Sequence, residues 1–346
     1  MLIKTLLKSI LRLVNPDRRF AIQLDVTNAC NLACIHCYHL HHNNSKAISF
    51  GAWEKILNEI KLFLDKIYCT PEFIFCGGEP LVSKNLFPLI NKINSIWHNP
   101  PIAILTNGTL ISEDLLQGFN KEQIWFQVSL DGPNSELHDK IRGKDNFQKT
   151  LTGINLLVQN NFKVNCLAVL SKNSAEHTKA FFELAQKLNV QKMNFERFIT
   201  QGEGENLANA GQDQPLEKLE LKNAMVDIIN FSKEYNIPTN TDSPLFCLID
   251  KKLGHNNLVG LNGIVIDYMG NLKVSSRTNH IIGNVLNAGL LNLYFKNQLL
   301  KSLRNGDIET CGNCEYYTKC GGSRNASYAK YKNYLKKDPG CWYKES

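Results

Sequence analysis

The stretch LDVTNACNLACIHCYHL at residues 24–40 places three cysteines, Cys30, Cys34 and Cys37, directly after an apolar run with the composition of a strand. Their spacing is C-x3-C-x2-C. Three thiolates can hold three irons of a four-iron cluster, and the fourth iron then stays open for a substrate or cofactor, as at catalytic metal sites that keep one position free. The alternative interpretation is a group of buried thiols beside a loop.

This triplet resembles the signature of the radical S-adenosylmethionine (radical SAM) superfamily. The resemblance implies that the three cysteines are the catalytic cluster ligands and that the open iron binds the amino and carboxylate groups of SAM. An electron from the cluster would then cleave SAM to a 5'-deoxyadenosyl radical. The resemblance also implies that the aromatic rings of His36 and Tyr38, on either side of Cys37, lie against the adenine and the cluster.

A second motif follows about forty residues later. Gly77, Gly78, Glu79 and Pro80 come after an apolar strand and resemble the GGEP motif of the same superfamily. Glycines allow the backbone to approach the methionine end of SAM, and a carboxylate can accept a charge-assisted hydrogen bond from its amino group. Alone, this motif would be an ordinary strand-to-helix turn.

Three further polar residues occur in the order that the superfamily implies. Ser129 and Asp131 lie at the end of the fourth predicted strand and are the ribose candidates, and Arg142 is the candidate partner of the SAM carboxylate. Each could equally be a turn residue or a surface charge.

Short apolar runs alternate with amphipathic stretches from Ala21 to about Tyr235. The predicted strands are residues 21–26, 72–76, 102–105, 124–130, 163–170 and 192–198, and the predicted helices are residues 50–67, 86–97, 112–119, 147–159, 175–188 and 215–235. Six such units predict an α/β fold with a parallel sheet, because parallel strands need crossover connections. The resemblance specifies a partial (β/α)6 TIM-like barrel with its site at the carboxyl ends of the strands. Residues 200–213 have few apolar side chains and are expected to form a loop or lid.

A second cysteine set lies near the C-terminus. Cys311, Cys314, Cys320 and Cys341 have the spacing C-x2-C-x5-C-x20-C, which suits a structural zinc site or a fully ligated four-iron cluster. Behind a radical SAM barrel the set resembles the SPASM extension, a small cysteine-rich domain, and implies one auxiliary [4Fe-4S] cluster. A hairpin is predicted before it, turning at Gly270 and Asn271.

The chain lacks most ligands of the other SPASM cluster. Cys247 matches its first cysteine, but Ser275, Ser276 and Arg324 stand where the family has further cysteines. We therefore expect two clusters per chain and a free thiol at Cys247. Cys76 and Cys166 are expected in the core, and Cys69 has no assigned role. His39, His41 and His42 could be read as a metal site or as a polar loop shielding the cluster.

Composition sets the remaining expectations. The chain has 346 residues, 43% of them hydrophobic and 21% charged, and a formal charge of +7, with no basic run dense enough to indicate nucleic-acid binding. The cysteines have ligand spacing rather than the scatter of a disulfide framework, which favours a cytoplasmic location. The expected division is an N-terminal amphipathic helix at 1–20, the barrel at 21–235 and the SPASM-like domain at 236–346. The first segment is too short and too charged to be an integral membrane span, and either docks on the barrel or binds a membrane surface or partner.

The resemblance implies an oxidoreductase that modifies a ribosomally made precursor peptide, with a reductant such as flavodoxin or ferredoxin. A crosslink between side chains is the expected product, and a separate protein or the catalytic domain would capture the leader peptide. Peptide epimerisation, tetrapyrrole side-chain modification and sulfatase maturation are the alternatives. An iron-sulfur electron carrier or a zinc scaffold is the non-enzymatic one, although a carrier would not need an open iron or GGEP.

Overall fold

The computed structural model describes residues 18–39, 47–254 and 262–343. Residues 1–17 of the predicted N-terminal helix, and the histidines at 41 and 42, lie outside these ranges. No helix in the described ranges is long and apolar enough to cross a membrane.

The described residues form one nine-stranded sheet flanked by helices. The strands are β1 Arg19–Thr27, β2 Thr70–Gly77, β3 Ile102–Thr106, β4 Ile124–Ser129, β5 Lys163–Leu170, β6 Lys192–Arg197, β7 Gly263–Ile266, β8 Asn271–Lys273 and β9 Ile281–Asn284. Their order across the sheet is β6-β5-β4-β3-β2-β1-β7-β8-β9, and β1 to β6 pair in parallel. The predicted α/β class and partial barrel are confirmed.

The helices alternate with the parallel strands as predicted. They are α1 Phe50–Ile67, α2 Leu86–Trp97, α3 Glu113–Leu116, α4 Ser135–Arg142, α5 Asn146–Gln159, α6 Lys172–Ala175, α7 Thr178–Lys187, α8 Glu203–Asn209, α9 Lys218–Glu234, α10 Val285–Ala288, α11 Leu290–Lys296, α12 Gln298–Asn305 and α13 Arg324–Tyr331. The bounds of α1 and α2 are those predicted.

Helix α1 shows why its bounds could be predicted from the sequence. Ser49 caps its first turn by accepting a hydrogen bond from the N–H of Ala52, and Tyr68 ends it in the left-handed conformation. Between these ends, the buried side chains recur every three or four residues from Trp53 to Ile67, as expected for one face of a helix.

The strands present two different faces. Phe126 and Val128 of β4 are fully buried under the helices, whereas Gln127 and Ser129 line a cavity on the other face. Because side chains alternate along a strand, polar residues at every second position reach the inside of the barrel without interrupting the core. The cavity lies at the carboxyl ends of the parallel strands.

The C-terminal hairpin continues the barrel sheet. β7 pairs in parallel with β1, and β8 returns antiparallel to β7. The predicted hairpin is present, but its turn begins earlier, at Asp267, whose carbonyl accepts from the N–H of Gly270. Asn271 already belongs to β8. This hairpin places residues of the predicted second domain against the first strand of the barrel.

The loop expected at residues 200–213 contains α8, so that prediction was wrong. The segment is ordered by its contact with the cysteine triplet, since the N–H of Gly204 donates to the carbonyl of Cys37 at 3.1 Å. Gly202 has φ +60, and a Cβ there would lie 2.4 Å from the carbonyl carbon of Tyr38. Only glycine fits this approach.

Candidate active site

The three cysteines of the triplet line one cavity at the carboxyl ends of the strands. Also on its walls are the predicted site residues His36, Tyr38, Gly77, Gly78, Glu79, Ser129 and Arg142. Most of the predicted site residues therefore lie together on one cavity. Pro80 is buried in the first turn of a short 3-10 helix and Asp131 lies behind the wall, so neither lines the cavity.

The two glycines of GGEP bring β2 onto the cysteine segment. The N–H of Gly78 donates to the carbonyl of Thr27, and a Cβ on Gly78 would lie 2.2 Å from the carbonyl oxygen of Ala29. Because a real Cβ never comes this close, glycine is required. The close approach fixes Glu79 beside the triplet.

Glu79 is a buried carboxylate with three protein donors. Its oxygens accept from the Thr106 hydroxyl at 2.8 Å, the N–H of Asn107 at 2.8 Å and the N–H of Leu81 at 3.1 Å. Burial nevertheless raises the pKa of Glu79 to about 7. A carboxylate accepts about four hydrogen bonds, so one remains for a cationic or N–H donor in the cavity.

Asp131 holds two neighbouring side chains in place. Its carboxylate accepts from Nε of Arg142 at 2.5 Å, pairs with Nε2 of His36 at 2.9 Å and accepts from the N–H of Val169 at 2.8 Å. Burial alone would raise the pKa of Asp131, but Arg142 and His36 hold it well below its usual range. The sequence suggested a ribose contact for Asp131; the structure places it as a buried anchor for Arg142 and His36.

Each of these two side chains has a further nitrogen that Asp131 does not engage. Nη1 of Arg142 lies 3.9 Å from Sγ of Cys34, and Nδ1 of His36 is buried without a hydrogen-bond partner in the described structure. Burial raises the pKa of Cys30 to about 11 and that of Cys37 to about 12. These thiols would therefore stay protonated at neutral pH unless a metal displaces the protons.

This donor set fits a SAM-binding iron-sulfur cluster. It offers three sulfurs around a cavity, a cation beside one of them, an orphaned imidazole nitrogen and a buried carboxylate with spare acceptor capacity. Tyr38 closes the floor, with its hydroxyl 3.6 Å from Sγ of Cys76. When bound, the cluster and SAM would supply a 5'-deoxyadenosyl radical.

The second cysteine set lines another cavity in the C-terminal region, together with Tyr316, Tyr317 and Asp338. Within the described ranges, no three His, Cys, Asp or Glu side chains lie close enough to share one metal ion. The residue types of this set suit either a structural zinc or a fully ligated four-iron cluster.

Cys247 is buried next to this set and is not disulfide-bonded. The neighbouring Cys320 thiol lowers the pKa of Cys247, so Cys247 is less isolated than expected. Arg324, also buried, donates to the carbonyls of Tyr334 and Lys336 where the SPASM pattern has a cysteine. Cys76 and Cys166 lie in the core as predicted.

Sequence analysis missed several cavity residues, among them Glu196 and Arg277. Glu196 is the second-to-last residue of β6 and Arg277 follows the hairpin, and they form an ion pair of 2.7 Å on the cavity wall. The position of Glu196 at the carboxyl end of a barrel strand was a usable signal. Arg277 had none, because the docking of the hairpin on β1 is not visible in the sequence.

The sequence and the fold are similar to those of known proteins. Residues 24–185 match the radical SAM superfamily. The AdoMet-dependent heme synthase of Methanosarcina barkeri (strain Fusaro / DSM 804) is 25% identical, over 93% of this chain and 96% of its own length. Streptococcus suis SuiB bound to precursor peptide SuiA superposes with a TM-score of 0.73 at 15% identity, covering 98% of this chain and 80% of that one. The anSMEcpe protein with bound AdoMet and Cp18Cys peptide gives 0.73 at 19% identity, covering 93% and 94%. The two structural likenesses show the fold.

Proposed function

Since residues 24–185 are a radical SAM domain and the protein is a radical SAM enzyme, we propose that it abstracts a hydrogen atom from a ribosomally made peptide and forms a crosslink between side chains. The observation that carries the radical chemistry is the meeting of Cys30, Cys34, Cys37 and Glu79 on one cavity. The observation that supports a peptide substrate is the fold shared with SuiB, over 98% of this chain, in a structure with its precursor peptide bound.

In this proposal the residues of the cavity bind and orient SAM. Glu79 would accept a hydrogen bond from the SAM amino group, and Arg142, held by Asp131, would pair with the SAM carboxylate. Ser129, on the cavity wall, would bind the ribose. Tyr38, half-buried on the cavity wall, would limit the access of water to the site.

The second cysteine set is proposed to hold one auxiliary [4Fe-4S] cluster, giving two per chain. Forming a crosslink removes two hydrogen atoms from the peptide. The first would leave as a hydrogen atom to the 5'-deoxyadenosyl radical, and the second as a proton to solvent and an electron, for which the auxiliary cluster would supply an acceptor. We further propose a cytoplasmic location and a flavodoxin or ferredoxin as reductant, with leader-peptide capture by a separate protein or by the catalytic domain.

The test is co-expression with a short peptide encoded beside this gene, followed by mass spectrometry. A peptide lighter by two hydrogen atoms supports the crosslink. Incorporation of solvent deuterium without this loss would indicate epimerisation. In vitro, anaerobically reconstituted protein should convert SAM to 5'-deoxyadenosine when a strong reductant is added, and absence of this product would contradict the enzymatic assignment.

A second candidate is modification of a tetrapyrrole side chain. It is favoured by the heme synthase relative, because that similarity covers 96% of the relative's length rather than the barrel alone. Incubation with iron-coproporphyrin III separates the candidates: loss of carbon dioxide from its propionates would replace the peptide proposal. An unchanged porphyrin, with the peptide modified, would exclude it.

A further inference from the structure

The cavity wall carries an ion pair to which the proposed SAM contacts assign no role. Nη1 of Arg277 lies 2.7 Å from an oxygen of Glu196, and each side chain is about a third exposed, at 28% and 30%. Both line the cysteine cavity. In the described structure this is the one hydrogen bond of the Arg277 guanidinium, which has five N–H donors.

The backbone at Arg277 is held by hydrogen bonds of the hairpin exit. The main-chain N–H of Arg277 donates to the Ser275 hydroxyl at 3.2 Å, and the Ser275 carbonyl accepts from the Thr278 hydroxyl at 3.4 Å. Thr278 in turn contacts the Tyr334 hydroxyl. The hairpin exit, which carries serines in place of a cluster cysteine, therefore holds the backbone from which the guanidinium reaches the cavity.

The neighbouring Arg197 has a more strongly hydrogen-bonded partner than Arg277 has. Nη1 of Arg197 contacts both oxygens of Asp338, which is fully buried and also accepts from the N–H groups of Ser323 and Gly340. The Asp338 carboxylate therefore accepts four hydrogen bonds, and its ion pair with Arg197 joins the barrel to the C-terminal region. Glu196 has no comparable support, so it can move away from Arg277 at little cost when a competing carboxylate arrives.

A smaller apolar chamber lies behind the same ion pair. It shares Glu196, Arg197, Ile199 and Arg277 with the cysteine cavity. Its remaining walls are mainly buried apolar side chains, among them Phe195, Leu221, Met225, Ile228 and Phe246. Such apolar walls can receive an apolar group of a ligand.

We propose that Arg277 binds a carboxylate of the substrate in exchange for Glu196, and that the adjoining chamber takes the hydrophobic group next to that carboxylate. The guanidinium fork suits bidentate capture of a carboxylate. This inference rests on the proposed function and specifies its substrate: an acidic group beside an apolar one. A peptide with a glutamate next to an aromatic residue has this chemistry, and so does the propionate edge of a tetrapyrrole.

The test uses 3-phenylpropionate and its neutral counterpart 3-phenylpropanamide, titrated by calorimetry into reconstituted protein saturated with SAM. The acid should bind at least about tenfold more tightly than the amide, as expected for a charge-assisted contact. Arg277→Gln should abolish this preference, Glu196→Gln should increase it, and Arg277→Lys should retain part of it. Lys149→Gln, which removes an exposed charge far from the cavity, should leave it unchanged.

Three results would contradict the inference: equal affinity for acid and amide, a preference that survives Arg277→Gln, or loss of SAM affinity in that variant, which would place Arg277 in the SAM site instead. Coproporphyrin III and acetyl-Glu-Phe-amide, compared as competitors of 3-phenylpropionate, distinguish the two sources of the carboxylate; failure of both to compete also contradicts it. A protein that cleaves SAM but fails these tests retains the proposed function. One that does not cleave SAM loses the function itself.

Discussion

Replacing Glu79 with glutamine tests whether its carboxylate binds SAM. The change exchanges one carboxylate oxygen for an amide nitrogen. The carboxylate accepts from Thr106 and Leu81 on one oxygen and from the N–H of Asn107 on the other. A glutamine oxygen can keep the first two bonds, but its amide nitrogen would then face the N–H of Asn107, donor against donor. The variant therefore changes one protein contact and removes the charge available to SAM.

The variant should change both the affinity for SAM and the stability of the fold. A hydrogen bond to a charged group contributes about 1.5–3 kcal/mol, so SAM affinity should fall roughly tenfold to a hundredfold. One unsatisfied buried N–H costs about 1–3 kcal/mol of stability, partly offset because a buried carboxylate no longer has to be desolvated. The assay is calorimetric titration of SAM into anaerobically reconstituted protein, with iron content measured on the same samples.

The control is Glu122→Gln, which removes an exposed carboxylate and should leave SAM affinity unchanged. The reasoning is refuted if Glu79→Gln, with its iron intact, binds SAM within about twofold of the parent protein, since each factor of ten corresponds to about 1.4 kcal/mol. Glu79 would then be a structural carboxylate that positions Asn107, with no role in holding the cofactor.

Three other outcomes are expected. Reconstituted protein should hold about eight irons, and changing Cys30, Cys34 and Cys37 together to alanine should remove about half; zinc in the second set would contradict two clusters. Burial raises the pKa of Glu79 to about 7, so between about pH 4.5 and 7 the folded metal-free protein binds a proton that the unfolded protein does not. The free energy of unfolding, measured by urea denaturation, should therefore fall as the pH rises through this range. Glu79→Gln should remove up to about 3 kcal/mol of this fall. Cys247→Ala should leave the crosslinked product intact, whereas loss of product with 5'-deoxyadenosine still formed would assign hydrogen-atom donation to that thiol.

The parts of the fold that were predictable depend on short-range patterns. Helix α1 was bounded correctly because its cap, its apolar face and its end all lie within twenty residues. Helix α8 was missed because few apolar residues mark it and its order comes from contact with Cys37. The pairing of β7 with β1 joins distant parts of the chain, and nothing in either strand's sequence specifies its neighbour.

The same division applies to the site. The cysteine triplet and GGEP are compact motifs whose chemistry follows from residue type and spacing. The role of Asp131 was not predictable, because its partners His36 and Arg142 are identified only when the strands are assembled. Arg277 is the extreme case, since it reaches the cavity only through the hairpin that extends the sheet.

The pairing of the C-terminal hairpin with β1 also determines when the sheet can be completed during synthesis. Strand β1 leaves the ribosome first, yet Ala21 pairs with Gly263, made about 240 residues later. At about 5–20 residues per second, this edge of the sheet stays without its partner for roughly 12–48 s during synthesis. An open edge of apolar strand is a template for pairing with other chains. The nascent barrel is thus most vulnerable to misassembly before its last hairpin emerges, so slow translation or a missing chaperone would reduce the yield of a chain whose finished form is well packed.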